Sequence, residues 1–373
     1  MNQNIITAES GYGQIDRYLY ENGLKTILLV CDSSIGFLKI NDYFKNLEGR
    51  TGVKIVRFNK FQPNPLYESV VEGVNLLHQK HCEGIIAVGG GSAIDVAKCI
   101  KLYSNMDPSL NYLEQDIIPN NMKLLAVPTT AGTGSEATRF AVIYYQGVKQ
   151  SVTHTSIIPD TVLLDSSVLK TLPLYQKKST MMDALCHSIE SFWSINSTTE
   201  SKEYSDRAIR SILYHKDAYL ANEEAGNAAM LLAANMAGKA INITQTTAGH
   251  AMCYKLTSLY GIAHGHAAAL CDKELMSFMA EHTDRCIDKR GEAYLKQTFQ
   301  EIAEAMGCND FNEACGKFKD IFKGLELATP IPAPEDYESL RTSVNPTRLK
   351  NHPIALDEDT IDMLYHRILE PKN

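Results

Sequence analysis

Four side chains in the middle of the chain have the types and the spacing to hold a metal ion. Asp183 and His187 stand four residues apart in MDALCHSIES at 182–191, a segment of helical composition. Both therefore leave one face of a helix, a turn apart. His250 and His264, in HAMCYKLTSLYGIAHGH at 250–266, can complete a tetrahedral set of one carboxylate and three imidazoles. Such donors suit Fe(II), Zn(II) or another divalent ion, and a further position open to substrate makes a site of this kind catalytic rather than structural. An Asp-x3-His pair also arises by chance, and many histidines are ordinary core or surface groups. The four residues need an independent reason to be read together.

Two loops offer a second chemistry. VGGGSAIDVAK at 88–98 follows an apolar run, and its glycines let the backbone approach a ligand closely. Ser92 followed by Asp95 reads as the N-cap and capping partner of the next helix, whose N-terminus would suit a pyrophosphate. The run is not the G-x-G-x-x-G dinucleotide fingerprint, and a tight turn without a ligand is the plain alternative. PTTAGTGSEAT at 128–138 is rich in hydroxyls that can bond phosphate or ribose, or can simply form a polar surface turn. Two such loops, each after a strand, point to a nucleotide cleft, because ligands of open α/β sheets bind outside the carboxyl ends of the strands.

The elements that must position these residues differ between the two halves. Apolar runs at 25–30, 53–58, 84–88 and 124–127 alternate with helical stretches at 35–47 and 66–78, which predicts a doubly wound parallel sheet. From about Pro173 strand runs disappear, and helical periodicity covers 203–222, 225–241, 267–282, 292–306 and 311–325. We therefore expect an α/β domain over 1–174 and an all-helical domain over 175–373, consistent with a length of 373 residues. A net charge of −8 without a basic cluster argues against nucleic acid. No apolar run approaches a membrane span, and the first residues lack the plan of a signal peptide, so a cytoplasmic protein is expected. Nine cysteines without C-x-x-C spacing fit reduced thiols there.

Together, VGGGSAIDVAK, PTTAGTGSEAT, MDALCHSIE and the histidines at 250 and 264 resemble, in order and separation, the iron-containing (group III) alcohol dehydrogenase family. The resemblance covers roughly the whole chain. It implies a dehydroquinate synthase-like fold, with a dinucleotide-binding domain, a helical domain and the active site in the cleft between them. It makes Asp183, His187, His250 and His264 the metal ligands. Gly90, Gly91, Ser92 and Asp95 border the pyrophosphate, Thr129, Thr130, Thr133 and Ser135 line the rest of the cofactor, and Lys149 and Asn64 match further cofactor contacts. Asp32 stands where relatives bind the adenosine ribose, and its charge favours NAD(H) over NADP(H); otherwise it caps the following helix. A homodimer is the expected assembly.

Many relatives carry a histidine where this chain has Tyr254, so Tyr254 is a candidate for proton relay or for filling the pocket wall. Filling is favoured, since tyrosine titrates near ~10 and relays sluggishly at neutral pH. His266, two residues past His264, is another relay candidate, or a supporting or surface group. Arg139 and Phe140 depart from the broad-range dehydrogenases, and TRFAVIY with HAMCYKLTSLYGIAHGHA looks most like the phosphonoacetaldehyde reductase branch. An arginine near the cleft would bind a phosphonate bidentately, and an ordinary surface salt bridge is the alternative for Arg139. Reduction of phosphonoacetaldehyde to 2-hydroxyethylphosphonate is the resulting expectation. Dehydrogenation of small neutral alcohols such as propanediol, butanol or lactaldehyde is its rival. A sugar-phosphate cyclase-type lyase shares the two-domain plan, but its ligand set typically includes a glutamate.

Overall fold

The computed structural model describes residues 3–9 and 11–370. Its contacts divide into two compact units. One runs to Leu172 and takes in Asn222–Leu231; the other comprises Pro173–Ala221 and the chain from Leu232 onward.

The first unit contains β1 (Asn4–Thr7), β2 (Thr26–Cys31), β3 (Lys54–Phe58), β4 (Gly84–Gly89), β5 (Lys123–Pro128), β6 (Phe140–Tyr145), β7 (Val148–Thr153) and β8 (Thr161–Leu164). Six of these form one sheet in the order β1-β8-β5-β4-β2-β3, parallel throughout. The continuous apolar runs of β2, β4 and β5 are almost wholly buried, as expected of strands covered on both faces. Between the strands lie α1 (Gly13–Glu21), α2 (Lys39–Lys45), α3 (Leu47–Thr51), α4 (Tyr67–Gln79) and α5 (Gly91–Tyr103). α4 and α5 share one core with β2 and β4, built on Leu28, Val30, Val70, Val74, Ile85, Ile94 and Ile100. Since β2 and β4 are neighbours while β3 lies outside β2, the strand order reverses at this pair. Ligand crevices of doubly wound sheets open at such a reversal.

Two sequence expectations are corrected. The helix expected over 35–47 is broken into a tight 3-10 turn, Ser33–Phe37, followed by α2 and α3. Asp32 Oδ1 accepts the Ser34 N–H at 2.8 Å, and Leu38 is extended, so a side chain offers the backbone a competing local bond. The Ser92–Asp95 cap is also not formed. α5 starts earlier, with Gly90 at the N-cap and no side-chain cap bond, and Asp95 is turned elsewhere.

The second unit is helical: α6 (Leu174–Trp193), α7 (Thr199–Leu220), the later part of α8 (Glu224–Thr244), α9 (Ala248–Tyr260), α10 (His264–Glu281), α11 (Glu292–Ala305), α12 (Phe311–Gly324), α13 (Asp336–Thr342), α14 (Pro346–Leu349) and α15 (Glu358–Leu369). Among the described residues it has no strand. α10 is its hub, packing on α6, α9, α12 and α15. From Met181 to Ser194 every residue of the α6 stretch is buried, so the face carrying Asp183 and His187 points into protein. No helix among the described residues is long and apolar enough to cross a membrane.

Candidate metal centre and nucleotide loops

In the second unit, helix periodicity puts Asp183 and His187 on one face of α6, and α9 brings His250 against them. One ligand atom from each lies within 4.8 Å of the others, and all three side chains are buried. The imidazoles of His187 and His250 stack with centroids 4.3 Å apart. Asp183 Oδ1 and His250 Nε2 face each other at 3.5 Å, and neither makes a hydrogen bond. A buried carboxylate oxygen and imidazole nitrogen left in this way cost several kcal/mol unless something else binds them, roughly 1–3 kcal/mol for each neutral group and more for a charge. Oxygen and nitrogen donors at this separation fit a divalent ion. The fourth expected ligand, His264, begins α10 and lies outside the 4.8 Å set. Its half-buried ring stands 5.4 Å from that of His250 and stacks on Tyr254 at 5.2 Å.

The electrostatics agree with such a centre. Burial alone would raise the Asp183 carboxyl, but the charges of His187, His264 and His250 outweigh it and hold the group far below the usual carboxylate range.

Glu190 was not singled out by sequence reading, and it belongs here. It lies seven residues after Asp183 and so shares the same face of α6. Its carboxylate receives the His250 Nδ1–H, the His250 backbone N–H at 3.1 Å and the Thr247 hydroxyl at 2.6 Å. It also accepts the Thr247 backbone N–H. Burial would raise it, but His250 and these donors bring it down to about 2. α9 has no side-chain cap of its own at the N-terminus, so Glu190 caps that end from α6 while fixing the His250 tautomer. His250 then presents Nε2 to Asp183. Asp272, fully buried on α10, is pushed well above its ordinary value by burial and by the Glu190 charge. Both carboxyl groups crowd Gly249, where a β-carbon would stand 2.0 Å from Asp272 Oδ1 and 2.7 Å from Glu190 Oε1.

Replacing Glu190 by glutamine keeps one acceptor oxygen but turns the other into a donor facing N–H and O–H groups. Metal affinity is expected to fall 10–100-fold, the usual cost of losing the group behind a histidine ligand. Zn(II) competition against a chromophoric chelator reads this directly. Affinity equal to the parent would mean that His250 is held by other means.

The two relay candidates are placed differently. Tyr254 accepts a hydrogen bond from Arg348 Nη1 at 2.7 Å, and burial pushes its phenol up against the opposing charge of Arg348. His266 is buried, with Nδ1 3.1 Å from the Tyr175 hydroxyl, and burial lowers it to about 4. The same Tyr175 hydroxyl accepts the Ala263 N–H at 2.9 Å. His266 lines a pocket of about 400 Å³ with Tyr175, Tyr260, Leu327 and Pro330. Two residues along a helix is about half a turn, so His264 and His266 diverge.

In the first unit the two loops come together. A β-carbon on Gly91 would stand 3.1 Å from the Thr133 methyl, and Gly90 lies against Thr130. Register pairs Gly89 with Pro128, and the Thr129 N–H bonds the Gly89 carbonyl at 3.0 Å. The open N-terminus of α5, with Ser92 in its first turn, therefore meets Thr129, Thr130 and Thr133 beside Asp32, whose Oδ2 approaches Gly89. Asp95 is turned inward: Oδ1 accepts the Ser135 hydroxyl at 2.5 Å and Oδ2 the Val142 N–H at 2.9 Å. Sequence reading missed Lys98, which is fully buried and donates to Ser135 Oγ, Thr138 Oγ1 and the Phe140 carbonyl. Burial lowers it to about 8, with Asp95 and Glu136 opposing. Lys149 pairs with Tyr144 in the β6–β7 hairpin. Burial raises the Asp95 carboxyl, against the opposing charges of Lys98 and, more weakly, Lys149. Asn64 is exposed at φ 58° in a turn tied to β6 by the Tyr144 N–H. Arg139 lies over the Phe140 ring, its guanidinium carbon 5.2 Å from the centroid.

Residues 2–166 match the model for iron-containing alcohol dehydrogenase, and residues 177–368 match that for the C-terminal part of the Fe-containing alcohol dehydrogenase family. The probable alcohol dehydrogenase EutG of Salmonella typhimurium is 35% identical over 314 residues, which is 81% of this chain and 76% of that protein. The phosphonoacetaldehyde reductase of Streptomyces viridochromogenes is 29% identical over 313 residues, 80% of this chain and 79% of that one. The crystal structure of sulfoacetaldehyde reductase from Bifidobacterium kashiwanohense in complex with NAD+ matches all of this chain and 98% of its own, with TM-score 0.88 at 23% identity, a likeness of fold. With two family models spanning nearly its full length and three buried residues of the second unit that could hold a metal ion, the chain belongs to the iron-containing alcohol dehydrogenase family and is an oxidoreductase of that class.

Proposed function

We propose that this protein reduces a small aldehyde carrying a terminal anionic group, phosphonoacetaldehyde to 2-hydroxyethylphosphonate, with NADH. The buried Asp183, His187 and His250 set carries the dehydrogenase part of this reading. Similarity to phosphonoacetaldehyde reductase over 80% of the chain supports the substrate. When bound, the divalent ion supplies Lewis-acid polarisation of the carbonyl, and the nicotinamide supplies hydride. The residues of the chain do the rest. Asp183, His187 and His250 are the inner ligands and His264 the outer one. Glu190 keeps the His250 proton on Nδ1 and leaves Nε2 free as a donor atom. The α5 N-terminus with Gly90, Gly91 and Ser92 receives the pyrophosphate, and Thr129, Thr130, Thr133, Lys149 and Asn64 receive the remainder of the cofactor. Ser135 and Asp95 brace that loop from within.

The test is NADH oxidation by anaerobically iron-loaded protein, comparing phosphonoacetaldehyde with propanal. A specificity constant about a hundredfold larger for the phosphonate, roughly 2.7 kcal/mol at the transition state, is the expected result. A second reading, oxidation and reduction of small neutral alcohols and aldehydes, is favoured by the higher identity to EutG. It predicts equal or better turnover of propanal.

For the cofactor, Asp32 at the end of β2 accepts ribose hydroxyls and repels a 2′-phosphate. Asp32→Ala is expected to shift the NADH-to-NADPH ratio of kcat/KM toward NADPH roughly tenfold, about 1.4 kcal/mol. It should also cost about 1 kcal/mol of stability through the lost Ser34 cap. An unchanged ratio would leave Asp32 as a cap alone.

A further inference from the structure

We propose that Arg348 forms an anion subsite beside the metal centre and recognises the terminal tetrahedral oxyanion of the substrate. The inference rests on the anionic-aldehyde reading above and names the residue that would enforce it. Arg348 belongs to α14 and is half-buried. Its Nη1 donates to Tyr254 Oη at 2.7 Å and to Thr246 Oγ1 at 3.4 Å. The guanidinium carbon is 4.9 Å from the Tyr254 ring centroid, and that ring also stacks on the imidazole of His264. Arg348 is thus one aromatic ring removed from the outermost metal histidine. The segment is fastened in place: Asn351 Nδ2 donates to the Thr246 carbonyl at 3.2 Å, and the Asn351 carbonyl accepts the Ile195 N–H at 3.0 Å.

The observation that carries the inference is what the Arg348 guanidinium lacks. Three other cations of this unit have carboxylate partners: Lys202 with Glu301 at 2.7 Å, Arg285 with Asp357 at 3.0 Å, and Arg290 with Asp288 at 2.6 Å. Arg348 has no ion pair among the described residues, and its Nε and Nη2 donate no hydrogen bond there, in a chain of net charge −8. A guanidinium held by one nitrogen keeps two donors in a rigid fork, the geometry that binds phosphonate or sulfonate oxygens in pairs. Tyr254 supports this fork by fixing Nη1, which gives the tyrosine a place in the site that proton relay does not require. Arg139 belongs to the other unit, where it lies over the Phe140 ring.

The experiment uses the metal-loaded full chain. In Arg348→Gln, the ratio of kcat/KM for phosphonoacetaldehyde to that for propanal should fall about a hundredfold, chiefly through KM for the phosphonate. Arg348→Lys, which keeps the charge and loses the fork, should show about a tenfold fall. A ratio within threefold of the parent in both variants overturns the proposal, as does a fall in Arg139→Gln that equals that of Arg348→Gln. Titration calorimetry with methylphosphonate separates this from failure of the functional reading. If the parent reduces only propanal yet binds methylphosphonate at least tenfold more tightly than Arg348→Lys and Arg348→Gln, the functional reading falls and the anion subsite stands. If methylphosphonate binds the parent and the variants alike, or binds none of them, the subsite falls. Should Arg348→Gln fail to fold, the lysine variant decides both measurements.

Discussion

Asp183→Ala is expected to abolish tight metal binding and to lower turnover by a thousandfold or more, about 4 kcal/mol at the transition state. Asp183 is the one carboxylate in the set, is buried, and stands within ligand range of both His187 and His250. Three neighbouring imidazoles hold it ionised despite its burial, so its removal takes away the only negative charge among the donors. A divalent ion held by neutral imidazoles alone would lose both charge compensation and one coordination position. Metal analysis after dialysis, together with NADH oxidation under saturating iron, reads both effects. Full metal retention with near-parent turnover would show that the ion sits elsewhere. His250→Ala should follow the same pattern, with the added cost of leaving the buried Glu190 carboxylate without its principal partner.

The second large effect concerns packing. At Gly265 an added β-carbon would stand 2.1 Å from the Ser179 carbonyl oxygen and 2.5 Å from the Asp183 Cβ. Two of the nearest atoms are backbone, so no side-chain rotation relieves the clash, and α10 has to move away from α6. Overpacking in a close-packed core costs roughly 1–3 kcal/mol, and the upper end applies where helices must separate. At about 2–4 °C per kcal/mol for a unit of this size, Gly265→Ala should lower the melting temperature by roughly 6–12 °C. His264 is the next residue, so metal affinity should fall with it. Scanning fluorimetry and chelator competition measure the two, and a melting temperature within about 2 °C of the parent would refute this packing.

The parts of the molecule that were legible in the sequence are those written in short-range pattern. Continuous apolar runs mark β2, β4 and β5, because strands covered on both faces need no alternation. β1 and β8 have only four residues each, so neither carries a run long enough to stand out. The i, i+4 spacing of Asp183 and His187 was visible for the same reason. Glu190 was not, although it lies in the same motif. A glutamate on a helix ordinarily faces solvent, and only tertiary packing shows that this one is buried under α9. Lys98 was hidden in the same way, as a lysine whose three partners come from residues 37 to 42 positions downstream. His266 is a case where sequence leaves the direction of a side chain open: about half a helical turn separates it from His264, and it lines the pocket with Tyr175 and Leu327.

The capping of α9 by Glu190 bears on how the centre comes into being during folding. A thirteen-residue helix without its own N-terminal side-chain cap is marginal alone in water. Its first turn acquires acceptors for the Thr247 and His250 amides only once α6 has docked. Secondary structure and site assembly are then a single cooperative event. His250 is not preset in the unfolded or partly folded chain, so such states lack the ligand geometry needed to capture and trap the wrong ion. The amide hydrogens of Thr247 and His250 accordingly exchange only when the α6–α9 packing opens, and not through fraying of the helix end.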